Sequence, residues 1–440
     1  MALYEDISEL VGDTPLVKID PEVHGLEKIE LYAKLEYYNP FGSLKDRPAK
    51  NMLAPFKDEL KEKDKTVLEA SSGNTAKALC GLAGMEDLDF KTVTNRIKYP
   101  EVRKILQALG AEIEELPGLS DCPDPNDPDD FTKVAENMEE KEPEKYHYTD
   151  QYFSDLNWKS HYNGTGKEIS EDLGAVDYLI GTLGTCGSTY GAGKYLKEEH
   201  GTEVIGTVAD AGQHVPGGRN VNELWEVGIF DKEFYTDIVP GTTEASIEAM
   251  KTLNRRCGIL AGPTTGLNFQ AGVEKLEELE KDIPDGETRK AVFIACDRME
   301  WYLSFIEKYS PETFSENTDK RETVESLPEE EVDKAETVGA EELSEIIEEE
   351  NPQIFDVRGH FAYTVGHVPG AVHILGEVFA QIIEEGKSFS EDETIIVTCT
   401  KGDVSKKYAK FLQNQGYRAY SLEGGIQAWK QEGYGLNTVK

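Results

Sequence analysis

The stretch Asn39-Pro40-Phe41-Gly42-Ser43-Leu44-Lys45-Asp46-Arg47-Pro48-Ala49 decides how this chain is read, because a lysine stands just past a small-residue turn and opens a helical pattern. An amine held partly out of water gives up its proton more readily and condenses with carbonyls. Lys45 is therefore a candidate for covalent amine catalysis. Taken alone, the pattern also fits a solvated surface lysine beside a Gly-Ser turn. The segments on either side decide between the two.

Upstream stands Val11-Gly12-Asp13-Thr14-Pro15-Leu16-Val17, and downstream Glu69-Ala70-Ser71-Ser72-Gly73-Asn74-Thr75-Ala76-Lys77-Ala78-Leu79. Further on come Tyr99-Pro100-Glu101-Val102-Arg103, Asp150-Gln151-Tyr152, His161-Tyr162-Asn163-Gly164-Thr165-Gly166, Gly184-Thr185-Cys186-Gly187-Ser188 and Gly262-Pro263-Thr264-Thr265-Gly266. In this order the motifs resemble the cysteine synthase and cystathionine β-synthase family of fold type II enzymes, over about Leu3 to Ser304. The resemblance implies an α/β fold of two α/β subdomains, pyridoxal 5'-phosphate as cofactor, and Lys45 as its Schiff-base lysine.

The same resemblance assigns the other site residues. Gly184, Thr185, Cys186, Gly187 and Ser188 follow a strand pattern and precede a helical one, so their backbone N–H groups and hydroxyls are expected to cradle the cofactor phosphate. Cys186 stands where the family usually has glycine, and a left-handed conformation there would cost ~1 kcal/mol or more. Thr264 is implied as the partner of the pyridine nitrogen. A hydroxyl does not protonate that nitrogen as a carboxylate would, which favours elimination and addition at Cβ over long-lived carbanions. Ser71, Ser72, Gly73 and Thr75 are implied to hold the substrate carboxylate together with Gln151, while Asn74 meets the phenolic oxygen. Ser71 replaces the family's common threonine and keeps the hydroxyl. Arg219, in Pro216-Gly217-Gly218-Arg219-Asn220, falls where related enzymes carry a basic substrate loop.

With 440 residues the chain exceeds one ordinary core, so two or three domains are expected. Short apolar runs such as Tyr178-Leu179-Ile180 and Ala291-Val292-Phe293-Ile294-Ala295 alternate with amphipathic stretches over residues 1–310, the pattern of a parallel sheet covered by helices. Residues 311–336, with Leu327-Pro328-Glu329-Glu330-Glu331, read as an exposed acidic linker, and Asp121–Asp130 as a surface loop.

A compact pattern returns over 337–440, with strands at Gln353–Val357 and Thr394–Thr398 and a helix at Ser405–Gln415. Here Phe355-Asp356-Val357-Arg358, Gly366-His367-Val368-Pro369-Gly370-Ala371, Val397-Thr398-Cys399-Thr400-Lys401-Gly402-Asp403-Val404-Ser405 and Gly424-Gly425-Ile426-Gln427-Ala428-Trp429 resemble a single small α/β rhodanese domain. Cys399 follows a strand and opens a loop before a helix, where converging N–H groups stabilise a thiolate or persulfide. Rhodaneses often have arginines in this loop. Here Thr400 and Val404 occupy those positions and Lys401 is the only cation, which disfavours thiosulfate as donor.

Asp plus Glu number 85 against 46 Lys plus Arg, a formal charge of -39 spread along the chain, and such a field repels nucleic acid and anionic membranes. It suits an acidic, moderately salt-adapted proteome. No apolar run approaches the ~20 residues of a membrane span, and the start Met1-Ala2-Leu3-Tyr4-Glu5-Asp6 lacks an export signal, so a cytoplasmic protein is expected. Six cysteines, without a Cys-x-x-Cys pair or a His cluster, suggest neither a disulfide framework nor a metal site. Cys80, Cys257 and Cys296 read as small buried hydrophobes.

The expectation is a cysteine synthase-like transferase acting by β-replacement with ping-pong kinetics. Its partners would be an activated serine (O-acetylserine or O-phosphoserine), sulfide or a sulfane sulfur donor, and a second copy in a homodimer. Cystathionine β-synthase, a cysteine lyase or desulfhydrase, and a sulfur-relay or sensing protein with an inactive first domain are the alternatives.

Overall fold

Short buried strands separated by helical connections must run parallel, because each crossover returns the chain to the same end of the sheet. The computed structural model describes residues 3–95, 97–117, 127, 129–224, 228–314, 323–324, 327–384, 389 and 393–439. It divides into two compact units, Met1–Phe314 and Ser315–Lys440. In chain order the first unit begins with β1 (Leu16–Lys18), β2 (Ile29–Leu35), β3 (Thr66–Ala70), β4 (Phe90–Thr94) and β5 (Glu112–Glu115). It continues with β6 (Tyr146–Tyr148), β7 (Tyr178–Thr182), β8 (Glu203–Ala209), β9 (Asp237–Gly241) and β10 (Arg289–Ala295).

These strands form two sheets, the two α/β subdomains. One is six-stranded in the order β1-β2-β10-β7-β8-β9, parallel except for β1 against β2. The other is four-stranded and parallel in the order β5-β4-β3-β6. The chain leaves the large sheet after β2, builds the small one, and returns at β7. Side by side in the large sheet, β2, β10 and β7 therefore deliver to one edge the Lys45 turn, the segment Cys296-Asp297 and the Gly184 loop. In the small sheet the neighbours β3 and β6 deliver Ser71 and Gln151 from their carboxyl ends. The carboxyl edge of parallel strands is where such folds open crevices for ligands.

Continuous apolar stretches on the strands make the cores. Leu31, Ala33, Ile180 and Phe293 are buried in the large sheet, and Val67 and Phe90 in the small one, packed with Leu79 and Leu106 of the helices that cover it. Among the described residues no helix is long and apolar enough to cross a membrane.

The second unit is a five-stranded parallel sheet of β11 (Thr337–Val338), β12 (Gln353–Asp356), β13 (Ala371–His373), β14 (Ile395–Thr398) and β15 (Ala419–Leu422), ordered β11-β15-β14-β12-β13. The helix expected at Ser405–Gln415 spans Asp403–Asn414. The exposed-linker expectation for 311–336 does not hold in its later part. Val324, Leu327 and Val332 are buried with Phe379, Ile395 and Phe411, so this acidic stretch packs apolar side chains into the core of the second unit. Val332 closes a short helix, Glu329–Val332, whose three glutamates belong to its solvent side. Of the loop expected at Asp121–Asp130, residues 121–126 and 128 lie outside the described residues, and Asp130 caps the helix Phe131–Lys141 by accepting from Thr132 N at 2.9 Å.

A charged cluster lies inside the first unit. Arg47 donates to Glu36 through Nε at 2.7 Å and Nη2 at 2.9 Å, and to Glu168 through Nη1 at 2.6 Å and Nη2 at 2.7 Å. Lys34 Nζ lies 2.8 Å from Glu168 Oε2 and donates to Thr14 O at 2.7 Å, while the Thr14 hydroxyl donates to Glu36 at 2.7 Å. Two cations thus answer two carboxylates. Burial pushes the Glu168 carboxyl up, but Arg47 and Lys34 overrule it and hold it at about 2.

Removing one charge from this set leaves its partners buried and unanswered. Glu36→Gln is expected to destabilise the first unit by roughly 3–5 kcal/mol in thermal or denaturant unfolding. A loss near zero would show that the cluster does not hold the fold. Because the Glu168 pKa is depressed in the folded chain, the stability from its charge is present at neutral pH. It drains away as pH falls from the ordinary carboxylate range towards 2.

Candidate active site

Hydrogen bonds on both sides hold the Lys45 turn. Leu44 N donates to Cys296 O at 2.8 Å, Phe41 N to Asp46 Oδ2 at 2.6 Å, and the Ser43 hydroxyl to Asp46 Oδ1 at 3.2 Å. Arg47, two residues on, is the centre of the charged cluster. Lys45 itself opens the helix Asp46–Leu53 and is half-buried, with Nζ 3.3 Å from the Thr185 hydroxyl. Loss of water around it lowers the amine from its ordinary value, against the pull of Cys296, Cys186, Glu69 and Asp297. That is the state an amine needs to attack a carbonyl.

Thr185 belongs to the loop between β7 and the 14-residue helix Gly187–His200. Cys186 adopts φ 68°, the left-handed conformation in which glycine carries no penalty, so the expected strain is present. Its side chain is buried among Leu183, Val208, Phe230 and Tyr235, and that packing offsets the backbone cost. At Gly184 a Cβ would stand 2.6 Å from Gly217 O, so the loop approaches its neighbour more closely than any other residue allows. The first turn of the helix directs N–H groups without intrahelical acceptors into this loop, beside the hydroxyls of Thr185 and Ser188. Arg219 lies beneath it, 1% exposed, donating to Gly184 O at 2.8 Å with its guanidinium over the Phe230 ring. It supports the loop from below, which corrects its expected place in a basic substrate loop.

The Ser71–Thr75 segment joins β3 to the helix Asn74–Met85. Ser71 Oγ accepts from Gly73 N and Ala76 N, both at 3.3 Å. The Thr75 hydroxyl donates to Gln151 Oε1 at 2.7 Å, and Gln151 Nε2 donates to Ala70 O at 3.0 Å. Asn157 ties this region to the loop after β7, donating to Gln151 O at 2.7 Å and to the Thr185 hydroxyl at 3.1 Å. Thr264, in the first turn of the helix Pro263–Glu280, donates to Pro216 O at 2.6 Å.

Two cavities share this set. The inner one, about 450 Å³, is lined by Lys45, Asn74, Gly184, Thr185, Cys186, Ser188 and Thr264. The outer one, about 1130 Å³, is lined by Lys45, Ser71, Ser72, Gly73, Asn74, Thr75 and Gln151. Lys45 and Asn74 line both. A desolvated amine, a phosphate-sized cradle of N–H and hydroxyl groups, and a hydroxyl across the inner cavity fit a phosphorylated aromatic aldehyde.

Several residues of this site were not found from sequence. Asp297 accepts from Asn74 Nδ2 at 2.7 Å and from the Tyr302 hydroxyl, and burial pushes its carboxyl up to about 6. Glu69, an acid inside the apolar strand β3, is pushed up to about 8 by burial; it accepts from the Gln151 backbone at 3.4 Å and from the Thr149 hydroxyl. Its signal was visible, since a carboxyl in a strand with both faces covered has no solvent to reach.

In the second unit Cys399 is 4% exposed. Its sulfur accepts from Gly402 N at 3.1 Å, Ser405 N at 3.4 Å and the Ser405 hydroxyl at 3.2 Å, and lies 3.5 Å from Asp403 Oδ1. Gly425 lets the loop close, because a Cβ there would stand 2.5 Å from Cys399 O. Such converging donors suit a thiolate or a persulfide.

Residues 7–297 match the family described as pyridoxal-phosphate dependent enzyme, and residues 339–432 match the rhodanese-like domain. A cysteine synthase from Aquifex aeolicus (strain VF5) is 32% identical over 307 residues, 68% of this chain and 91% of that protein. Among solved structures, a hydrogen sulfide-producing enzyme from Fusobacterium nucleatum is 28% identical at a TM-score of 0.58, covering 69% of this chain and 99% of that one. O-acetyl serine sulfhydrylase isoform 3 from Entamoeba histolytica is 27% identical at a TM-score of 0.58, covering 69% and 91%.

Gly184→Ala forces the two loops apart, and overpacking of ~1–3 kcal/mol corresponds to a roughly 5- to 150-fold loss of cofactor affinity. The fraction of pyridoxal phosphate retained on dialysis measures it. Retention equal to the parent would show that the loop does not hold the phosphate.

Proposed function

The chain belongs to the pyridoxal-phosphate-dependent enzyme family, and on that premise we propose that its first unit makes L-cysteine from an ester of serine and sulfide. The observation that carries this reading is the meeting of Lys45, Thr264 and the Ser71–Gln151 group around two connected cavities. Bound pyridoxal phosphate supplies an electron sink for the Cα–H bond. Gly184, Thr185, Cys186, Gly187 and Ser188 would hold its phosphate, Thr264 would offer its ring nitrogen a neutral hydroxyl, and Asn74, anchored on Asp297, would meet its phenolic oxygen. Ser71, Ser72, Gly73, Thr75 and Gln151 hold the α-carboxylate of the amino acid. With the carboxylate fixed there, Lys45, which lines both cavities and would hold the cofactor, is the amine placed to take the proton from Cα and return it.

Two activated acceptors, O-acetylserine and O-phosphoserine, suit this site. The likeness to a hydrogen sulfide-producing enzyme supports a second reading in which the same residues release sulfide from cysteine. We read the second unit as a sulfur carrier, with Cys399 as the sulfur-bearing residue and the donors of Gly402 and Ser405 holding its charge. The working form is read as a homodimer in the cytoplasm.

The direct test gives the cofactor-loaded chain O-acetylserine, O-phosphoserine or serine with sulfide, and separately cysteine alone. Cysteine formation from one of the esters, lost in Lys45→Ala, is expected. Sulfide release from cysteine with no synthesis from any ester would favour the second reading and remove the first.

Cys399→Ala should leave synthesis from free sulfide unchanged while slowing synthesis from a sulfane donor. The assay supplies a thiol reductant, because two thiols must become a disulfide for the sulfane sulfur to leave as sulfide. A single chain keeps the carrier at high local concentration, so an equimolar mixture of separate units should also be slower. Equal rates for all three would make the second unit an independent activity.

A further inference from the structure

The helix Asn74–Met85 brings a second lysine to the same site. Lys77, one turn beyond Asn74, is 6% exposed; its Nζ stands 3.7 Å from the centroid of the Trp301 ring and has no hydrogen-bond partner among the described residues. Trp301 Nε1 is also buried and has no hydrogen-bond partner among the described residues. Buried donors are almost always satisfied, so the orphaned Lys77 ammonium beside the cavity marks a place for an acceptor from outside the chain.

The position of the pair narrows what that acceptor is. Lys77, Ile105 and Trp301 line the outer active-site cavity and also a neighbouring groove of about 1500 Å³ reached past Tyr38 and Leu260. Burial lowers the Lys77 amine to about 8 against the pull of Asp46, Asp297 and Glu300, so it remains mostly charged at neutral pH. Three carboxylates already answer this cation, so what it offers a guest is a charge-assisted hydrogen bond at short range, which suits a small acceptor carrying no more than one charge. The α-carboxylate, in turn, already has the donors around Ser71 and Gln151.

We propose that Lys77, with Trp301, binds the incoming sulfur nucleophile as hydrosulfide and admits it from the groove, apart from the route of the amino acid. The proposal rests on the β-replacement reading above. When two half-reactions share one site, the second reactant arrives while the first still fills the carboxylate pocket, and a separate unpartnered donor on the groove side meets that need. Lys77 forms no covalent bond; it gives a charge-assisted hydrogen bond and sets where the anion waits.

Two arms test this. In the first, Lys77→Met keeps the apolar stem over Trp301 and should raise the KM for sulfide by roughly tenfold or more, the effect of one lost charge-assisted hydrogen bond. The KM for the serine ester and the cofactor absorbance should stay at the parent's values. Lys77→Arg, which keeps the charge, should retain most of the sulfide affinity. In the second arm bromide, a monovalent anion, is titrated into the cofactor-loaded chain and followed by tryptophan fluorescence, a readout independent of turnover. Saturable quenching in the parent, lost in Lys77→Met, is expected. An unchanged sulfide KM, a rise confined to the serine ester, or no saturable quenching in the parent would each overturn the assignment. Inactivity of the parent with every ester would remove the β-replacement reading, and with it the nucleophile; the bromide arm would still decide whether Lys77 binds an anion.

Discussion

Arg47 reaches back under the Lys45 turn and joins three distant parts of the chain: Thr14 at the amino end, Glu36 after β2, and Glu168 beyond the small sheet. Burying two cations and two carboxylates is costly, and good geometry is what recovers the loss. Here every member has at least two partners. The consequence is positional. Lys45 lies two residues from a side chain that is locked in place, so its amine is set against Thr185 by the interior of the protein. A buried ion cluster is weak evidence for stability, but it is a strong determinant of where a backbone must run.

Strand order explains the rest of the site. Because β10 lies between β2 and β7, the residue after β10, Asp297, is brought between the Lys45 turn and the Gly184 loop. Its carboxyl is crowded by Tyr302 and Asn74 and lies within electrostatic reach of both Lys45 and Lys77. The two lysines therefore share a countercharge while standing on different elements. One faces the inner cavity and the other the groove, which supports separate tasks for them within one reaction.

The motifs were legible because each joins small or hydroxyl residues to a sheet edge: Ser71–Thr75 after β3, Gly184–Ser188 after β7, and Lys45 past a Gly-Ser turn. Even the misfit at Cys186 could be read, and the structure gives its reason in the left-handed backbone and the apolar packing of the sulfur. What escaped were charges in unexpected places. Glu36, Glu168, Asp297 and Lys77 are ordinary surface residue types in a chain with 85 acidic side chains, and only the fold shows Glu36, Asp297 and Lys77 buried and Glu168 largely covered. Acidic composition also hid Val324, Leu327 and Val332, three apolar residues spaced through a stretch otherwise suited to solvent. Arg219 misled in the opposite direction, since a basic residue in a glycine-rich loop reads as a substrate contact and here supports the loop from below.

On the proposed reading, the interior charge cluster sets Lys45, and not the other desolvated lysine beside the same cavity, to bear the cofactor. Borohydride reduction of the cofactor-loaded chain followed by peptide mapping tests it most directly. The pyridoxyl label is predicted on Lys45 alone, with Lys77 unmodified. Label on Lys77, or on neither, would contradict the account.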